Sequence, residues 1–298
     1  PVCLERITVR QKKCLKELTI KDNFMFGAVM SDAENCRRFL EMAAGFSIER
    51  VEVIKEKSMV YHPEYKGVRL DVFARDEKNT HYNVEMQMLP QAELGRRSRY
   101  YHGQMDAETL LSGSTYGMLP DSYVIFICDF DPFGEKKYRY TFENRCLENP
   151  NLGLGSGERT LFLSTAGENE EDEPEELVQF LKYVKADLEE SESSFEDEYV
   201  QTLQKAVRHV KESRELEEKF MVLEEMLQDE REEGKIEGRE EGRTEGRALA
   251  VIELLETIGE VPQSLREKIL GQTDTSVLSR WLKLAARAQS IEQFEKNL

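Results

Sequence analysis

Two stretches of alternating apolar and polar positions organise the middle of the chain. Over residues 68–75 and 82–88, Leu70, Val72, Ala74, Tyr82, Val84, Met86 and Met88 share one face, and Arg69, Asp71, Phe73, Asn83, Glu85 and Gln87 share the other. A period of two with β-branched and aromatic residues predicts a pair of half-buried strands, and the polar run 76–80 between them has turn chemistry. If Arg75 and His81 close that turn, antiparallel pairing sets Asp71 opposite Glu85 and Arg69 opposite Gln87.

Helical spacing governs the flanks. Phe24, Phe26, Val29, Met30, Phe39, Leu40 and Ala43 predict one helix over 22–44, or two broken near Ser31 and Asp32, with Gly45 as the stop. Residues 50–61 form a first strand before the hairpin. Pro90 ends the third strand, and 91–112 reads as a helix with Arg96, Arg97 and Arg99 in its first turns. The apolar run 122–128 suits a buried strand, and 138–142 and 159–163 are further strand candidates. Helix, three-strand meander, helix and strand in that order predict an α/β core in which a helix crosses over to return the chain to a mixed sheet.

Beyond Thr165 the pattern changes. Residues 167–176, GENEEDEPEE, are an acidic loop; helices are expected at 175–190 and 195–230, then at 248–258, 264–270 and 276–288. Residues 231–247, REEGKIEGREEGRTEGR, repeat with a period of four, so that Glu, Gly and basic residues form three adjacent helical stripes. Each Gly costs about 1 kcal/mol of helix propensity relative to Ala. The stripe therefore reads either as a close backbone contact between subunits, giving a homo-oligomer through the C-terminal helices, or as a solvated linker helix. The expected division is a domain at 1–170 and an acidic α-helical C-terminal extension at 171–298.

Charge sharpens this division. The chain carries −18 in all, but residues 1–165 account for only −1 and the remaining 133 for −17. The overall acidity thus does not exclude nucleic acid as a partner of the first part, although phosphate affinity comes largely from Lys and Arg. Basic residues at 10, 12, 13, 16 and 21 make the N-terminal stretch either an arm for phosphates or a solvated extension. Five cysteines without CxxC spacing give neither a zinc ribbon nor a disulfide framework. With no apolar run near the roughly 18 residues of a membrane span and no signal-like apolar segment, a cytoplasmic protein is expected.

The candidate chemistry lies on the polar face of the hairpin. Opposed side chains in an antiparallel pair lie roughly 5 Å apart, and like charges there repel. Asp71 and Glu85 so placed call for a cation, and oxygen ligands suit Mg²⁺ or Mn²⁺, which can activate water beside a phosphodiester. The bland alternative is a solvated charged face. Tyr100 and Tyr101 read as packing residues with a hydroxyl available to a phosphate. The four scattered histidines show no zinc spacing, and no phosphate-binding Gly-rich loop is present.

The residues RLDV, a short turn, YNVEMQ, then RSRYYHGQM and LLSGSTYGMLP before an apolar strand resemble the recombination-promoting nuclease and transposase group of the PD-(D/E)XK superfamily. The resemblance covers roughly residues 18–165, and the EG(K/R)-rich tail is also typical of such proteins. It implies a restriction-endonuclease-like core, a mixed sheet flanked by helices, acting as a metal-dependent DNA endonuclease linked to recombination or mobile elements. Asp71 and Glu85 are then the metal ligands, and Gln87 stands where the superfamily usually has Lys. A Gln amide can orient water but supplies neither charge nor a suitable base; the missing cation is expected from Arg69 or Arg97. Asp22 is the candidate third acid and Glu34 a second one, with Arg69, Arg97, Tyr101 and Gln104 expected against DNA. The competing reading is a catalytically degenerate core that serves as a DNA-binding or assembly module.

Overall fold

The structure, a computed structural model, describes residues 14–55, 58–59, 68–69, 71–110 and 113–298. The basic residues at 10, 12 and 13 and positions 56, 57, 60 and 61 of the strand expected over 50–61 lie outside the described residues.

The break expected near Ser31 separates α1 (Asn23–Met30) from α2 (Ala33–Ala44). Asp32 caps α2 by accepting from the N–H groups of Glu34 and Asn35, and Gly45 ends it in the left-handed region at φ 79°. There follow β1 (Val51–Lys55), the short strands β2 (Ser58–Met59) and β3 (Val68–Arg69), and then β4 (Val72–Asp76) and β5 (His81–Gln87). Helix α3 (Leu94–Thr109) crosses to β6 (Ser122–Cys128), and β7 (Arg139–Phe142) and β8 (Glu158–Ser164) complete a six-stranded sheet of order β1-β4-β5-β6-β8-β7. The β5/β6 and β6/β8 pairs are parallel and the others antiparallel, so the expected mixed sheet is present.

The two faces of the hairpin go to two apolar layers. Val72, Ala74, Tyr82, Val84 and Met86 join the core formed with α1, α2 and the helices α4 (Glu175–Lys185) and α6 (Glu198–Glu212), which flank the short α5 (Leu188–Ser191). Phe73 packs on the other side with Val124, Phe126, Cys128 and Phe162 beneath Leu94, Tyr101 and Met105 of α3. This corrects the half-buried reading of the hairpin. All seven residues of β5 are buried, because α3 lies over the face that carries the polar residues.

Three further expectations change. The β4/β5 register has Arg75 opposite His81, as read from the turn, but the ladder ends at Val72 and Val84; Arg69 belongs to β3 and pairs with Ser58, so it does not face Gln87. The chain divides into units Pro1–Phe220 and Met221–Leu298, later than residue 170, because Leu177, Phe180, Leu181, Tyr199 and Leu203 are fully buried in the first unit's core. The helix expected over 195–230 is interrupted at Ser213, whose backbone is extended. The following helix α7 (Arg214–Glu256) runs through the Gly repeat. The second unit has its own apolar core, in which Val251, Ile252 and Leu255 of α7 pack with α8 (Gln263–Leu270), α9 (Thr275–Ala285) and α10 (Ile291–Glu295). Among the described residues, no helix is long and apolar enough to cross a membrane.

Candidate active site

The site is set by the turn that precedes it. Asp76 accepts from the N–H groups of Lys78 and Thr80 through Oδ1 and from the Tyr82 hydroxyl, at 2.9 Å, through Oδ2; Asn79 takes the left-handed conformation at φ 62°. A turn tied this way fixes the register. Asp71 then immediately precedes the last β4 pair, and Glu85 immediately follows it on β5.

Asp71 Oδ2 accepts from the N–H of Met86 and from Asn23 Nδ2, each at 3.3 Å. Glu85 is 1% exposed. Its Oε2 accepts from Arg97 Nη2 at 2.7 Å and from the Tyr101 hydroxyl at 3.3 Å, while Oε1 accepts from Asn83 Nδ2 at 3.3 Å. Positions four apart on a helix share a face, and this is how α3 presents Arg97 and Tyr101 to β5 together. Arg97 Nε donates to the Tyr101 hydroxyl at 2.6 Å, and Nη1 donates to Gln87 Oε1 at 3.3 Å and Gln91 Oε1 at 3.2 Å. Its guanidinium also lies over the Tyr101 ring, 5.2 Å from the centroid.

Burial pushes the Glu85 carboxyl up to about 7, with the charge of Asp71 adding to the effect; Arg97, Asn83 and the Asp71 backbone pull it down without cancelling it. Burial and the neighbouring Glu85 charge together raise the Tyr101 phenol to about 12, so it stays protonated and donates. One turn of α3 is locked to the sheet by His102, whose Nδ1 lies 2.7 Å from Ser122 Oγ and Nε2 3.1 Å from Thr160 Oγ1. Burial holds this imidazole down at about 4, in its neutral form.

Of the residues expected at the site, Asp71, Glu85, Gln87, Arg97 and Tyr101 converge. Gln104 is half-buried further along α3, and the side chain of Arg69 lies outside the described residues. Asp22 Oδ2 accepts from the Thr19 N–H at 3.0 Å, and its neighbour Asn23 is the α1 side chain hydrogen-bonded to Asp71. Glu34 is paired with Arg37 on α2 at 2.6 Å and is mostly exposed. Among the described residues, no group of three or more His, Cys, Asp and Glu side chains converges as metal ligands.

The donor chemistry nevertheless fits a hard divalent cation. Two carboxylates meet at the end of one hairpin, one of them buried and made reluctant to ionise by the other, and a cation between them would remove that repulsion. Asn83 Oδ1, on the same face and fully buried, has no hydrogen-bond partner among the described residues.

The profile of the PD-(D/E)XK nuclease family transposases matches residues 20–241. The chain belongs to this family. The match takes in both carboxylates of the hairpin, α3 and the start of the repeat helix, and it agrees with the mixed sheet flanked by helices. PD-(D/E)XK nucleases generally use divalent metal ions, and the family implies DNA as substrate and a function related to mobile elements. No curated protein and no solved structure is a significant match.

Nothing in the sequence pattern marks Asn23, Gln91 or His102 as partners of the site. Alternation had placed Asn83 on the face of Glu85, but nothing in the pattern signals that α1 reaches Asp71 from 48 residues away.

Proposed function

We propose that this PD-(D/E)XK family member is a Mg²⁺- or Mn²⁺-dependent DNA endonuclease of the cytoplasm, acting in recombination or on mobile DNA. The observation that carries the reading is the convergence of Asp71, Glu85 and Gln87 at one end of the hairpin beneath Arg97 and Tyr101. Asp71 and Glu85 would hold the cation, which when bound supplies an activated water and offsets charge on the phosphodiester.

The chain's own groups have separable tasks. Gln87 orients water through its amide, donating from Nε2 while Oε1 is held by Arg97. Arg97 meets the Glu85 carboxylate in the free protein and is placed to meet a phosphate oxygen beside it, supplying the positive charge that Gln87 lacks. Tyr101 holds Arg97 and Glu85 in register. Arg99, exposed on α3, contacts a neighbouring phosphate, with Gln104 and Arg69 as further contacts. In the reaction, water adds to phosphorus as one P–O ester bond breaks. Assembly into a homo-oligomer through the C-terminal helices is part of the proposal.

Nicking of supercoiled plasmid by the purified protein tests the reading. Cleavage should require Mg²⁺ or Mn²⁺ and be abolished in Asp71→Ala; undiminished cleavage by that variant refutes the assignment. One observation favours a second reading, in which the core binds DNA without cutting it. Arg97 already neutralises Glu85, and Gln87 adds no charge. DNA binding without cleavage under either metal would establish that reading.

A further inference from the structure

A cavity of about 450 Å³ lies at the other end of the sheet from the hairpin carboxylates, against its α2 face. Tyr123, near the start of β6, pairs with Arg159 of β8, whereas Glu85 and Gln87 pair with Phe126 and Cys128 toward the far end of β6. Tyr123 belongs to the core layer on the α2 side, and Phe126 to the layer beneath α3. The cavity and the candidate active site are therefore on opposite faces.

Its lining combines charge with flat apolar surface. Lys78, Arg139 and Arg159 contribute three cations against one carboxylate, Asp121. Arg139 is committed elsewhere, with Glu173 at 2.8 Å and the Ala43 carbonyl at the end of α2 at 3.5 Å. Neither of the other two is held by a strong ion pair. Lys78, exposed in the β4/β5 turn, makes no ion pair among the described residues. Arg159 donates to the Tyr123 hydroxyl at 2.7 Å and has one weak carboxylate contact, Glu143 at 3.4 Å. Phe46, 37% exposed, stands beside Tyr123 with ring centroids 6.0 Å apart and forms an aromatic wall.

The volume exceeds what an inorganic ion fills and falls within the roughly 300–1,000 Å³ of small-molecule sites. Available cations recognise phosphate, an exposed aromatic face stacks on a planar ring, and one carboxylate can accept from a ring amino group or a sugar hydroxyl. We propose that this cavity binds a free mononucleotide, with its phosphate on Lys78 and Arg159 and its base against Phe46. The proposal does not depend on the nuclease reading, since no residue is shared between the two sites.

Calorimetric titration of the full chain in the presence of chelator, with 5′-dAMP, deoxyadenosine and inorganic phosphate as probes, tests it. Saturable binding of dAMP is expected, with the nucleoside and phosphate each weaker by about tenfold or more, the loss of one ionic or stacking contact of about 1.4 kcal/mol. Lys78→Gln and Phe46→Ala, both at exposed positions, should each weaken dAMP by about that factor without shifting the thermal melt. Absence of dAMP binding, phosphate binding as tight as dAMP, or dAMP affinity unchanged in both variants would each overturn the proposal.

Discussion

Arg97 donates to Glu85 at 2.7 Å, where the guanidinium is one-third exposed and the carboxylate almost fully enclosed. The pair joins α3 to β5 and balances the one deeply buried acid of the hairpin. Replacing Arg97 with Ala strips that balance and leaves the Tyr101 hydroxyl and Gln87 amide without their donor. Partial exposure and the ability of Glu85 to take up a proton limit the penalty to about 2 kcal/mol, below that of a fully buried broken pair. Urea unfolding measures it. Arg97→Lys should recover only part of the loss, since a point charge cannot serve Glu85, Gln87 and Tyr101 together.

The resemblance aligns Gln87 with the usual Lys of the superfamily, yet Gln87→Lys should not improve the protein. Gln87 Oε1 accepts from Arg97 at 3.3 Å, and the side chain is 6% exposed. An ammonium there meets the guanidinium directly, so the variant should lose about 1–3 kcal/mol of stability and cleave more slowly than wild type. The double variant Gln87→Lys, Arg97→Gln relieves the clash of like charges and should be more stable than the sum of the two single losses. A simple sum would show that the two positions act independently.

Much of this was legible in the chain. Alternation over 68–88 gave the two strands and the pairing of Arg75 with His81, because the turn chemistry around Asp76 is local, but not the end of the ladder at Val72 and Val84. Helical spacing found α2 and α3, and the resemblance pointed to Asp71 and Glu85. What escaped depends on contacts between distant segments. Alternation cannot tell solvent from a covering helix, so the burial of Glu85 under α3 was missed. Apolar spacing found the helices α4 and α6, but the acidic composition after residue 165 hid that their Phe180 and Tyr199 belong to the core of the first unit. Arg97, expected on DNA, has internal partners because four-residue spacing along α3 aims it with Tyr101 at β5.

Two buried groups give opposing pH dependences. Glu85 is held near 7 in the fold against an ordinary 4.5, so folding takes up a proton there and its contribution to stability, full below 4.5, is lost as pH rises to about 7. His102 is held near 4 against 6.5, so folding releases a proton and its contribution, present above 6.5, is lost as pH falls toward 4. Each slope is at most about 1.4 kcal/mol per pH unit, and between 4.5 and 6.5 they offset one another. Glu85→Gln should leave a stability that rises with pH across this window, and His102→Leu one that falls. Denaturant unfolding at several pH values reads both signs.

The repeat helix offers a test by sign. A Cβ built at Gly234, Gly238, Gly242 or Gly246 meets no atom within 4 Å among the described residues, so Gly→Ala at these positions strengthens an isolated helix by about 1 kcal/mol each. If chains associate through this stripe, as proposed, the added methyl groups hold the backbones apart. Sedimentation should then show a smaller assembly for the fourfold Ala variant despite its higher helicity. An unchanged mass would place the association elsewhere or exclude it.

The most direct test of the central claim is the single-turnover cleavage rate of plasmid DNA with Mn²⁺ at about pH 8, above the Glu85 value and thus with that carboxylate ionised. Wild type should cut, and Glu85→Gln, which keeps the shape but removes the charge, should lose at least about a hundredfold, on the scale of one essential contact to the reacting centre. Cleavage by Glu85→Gln at the wild-type rate would contradict the account.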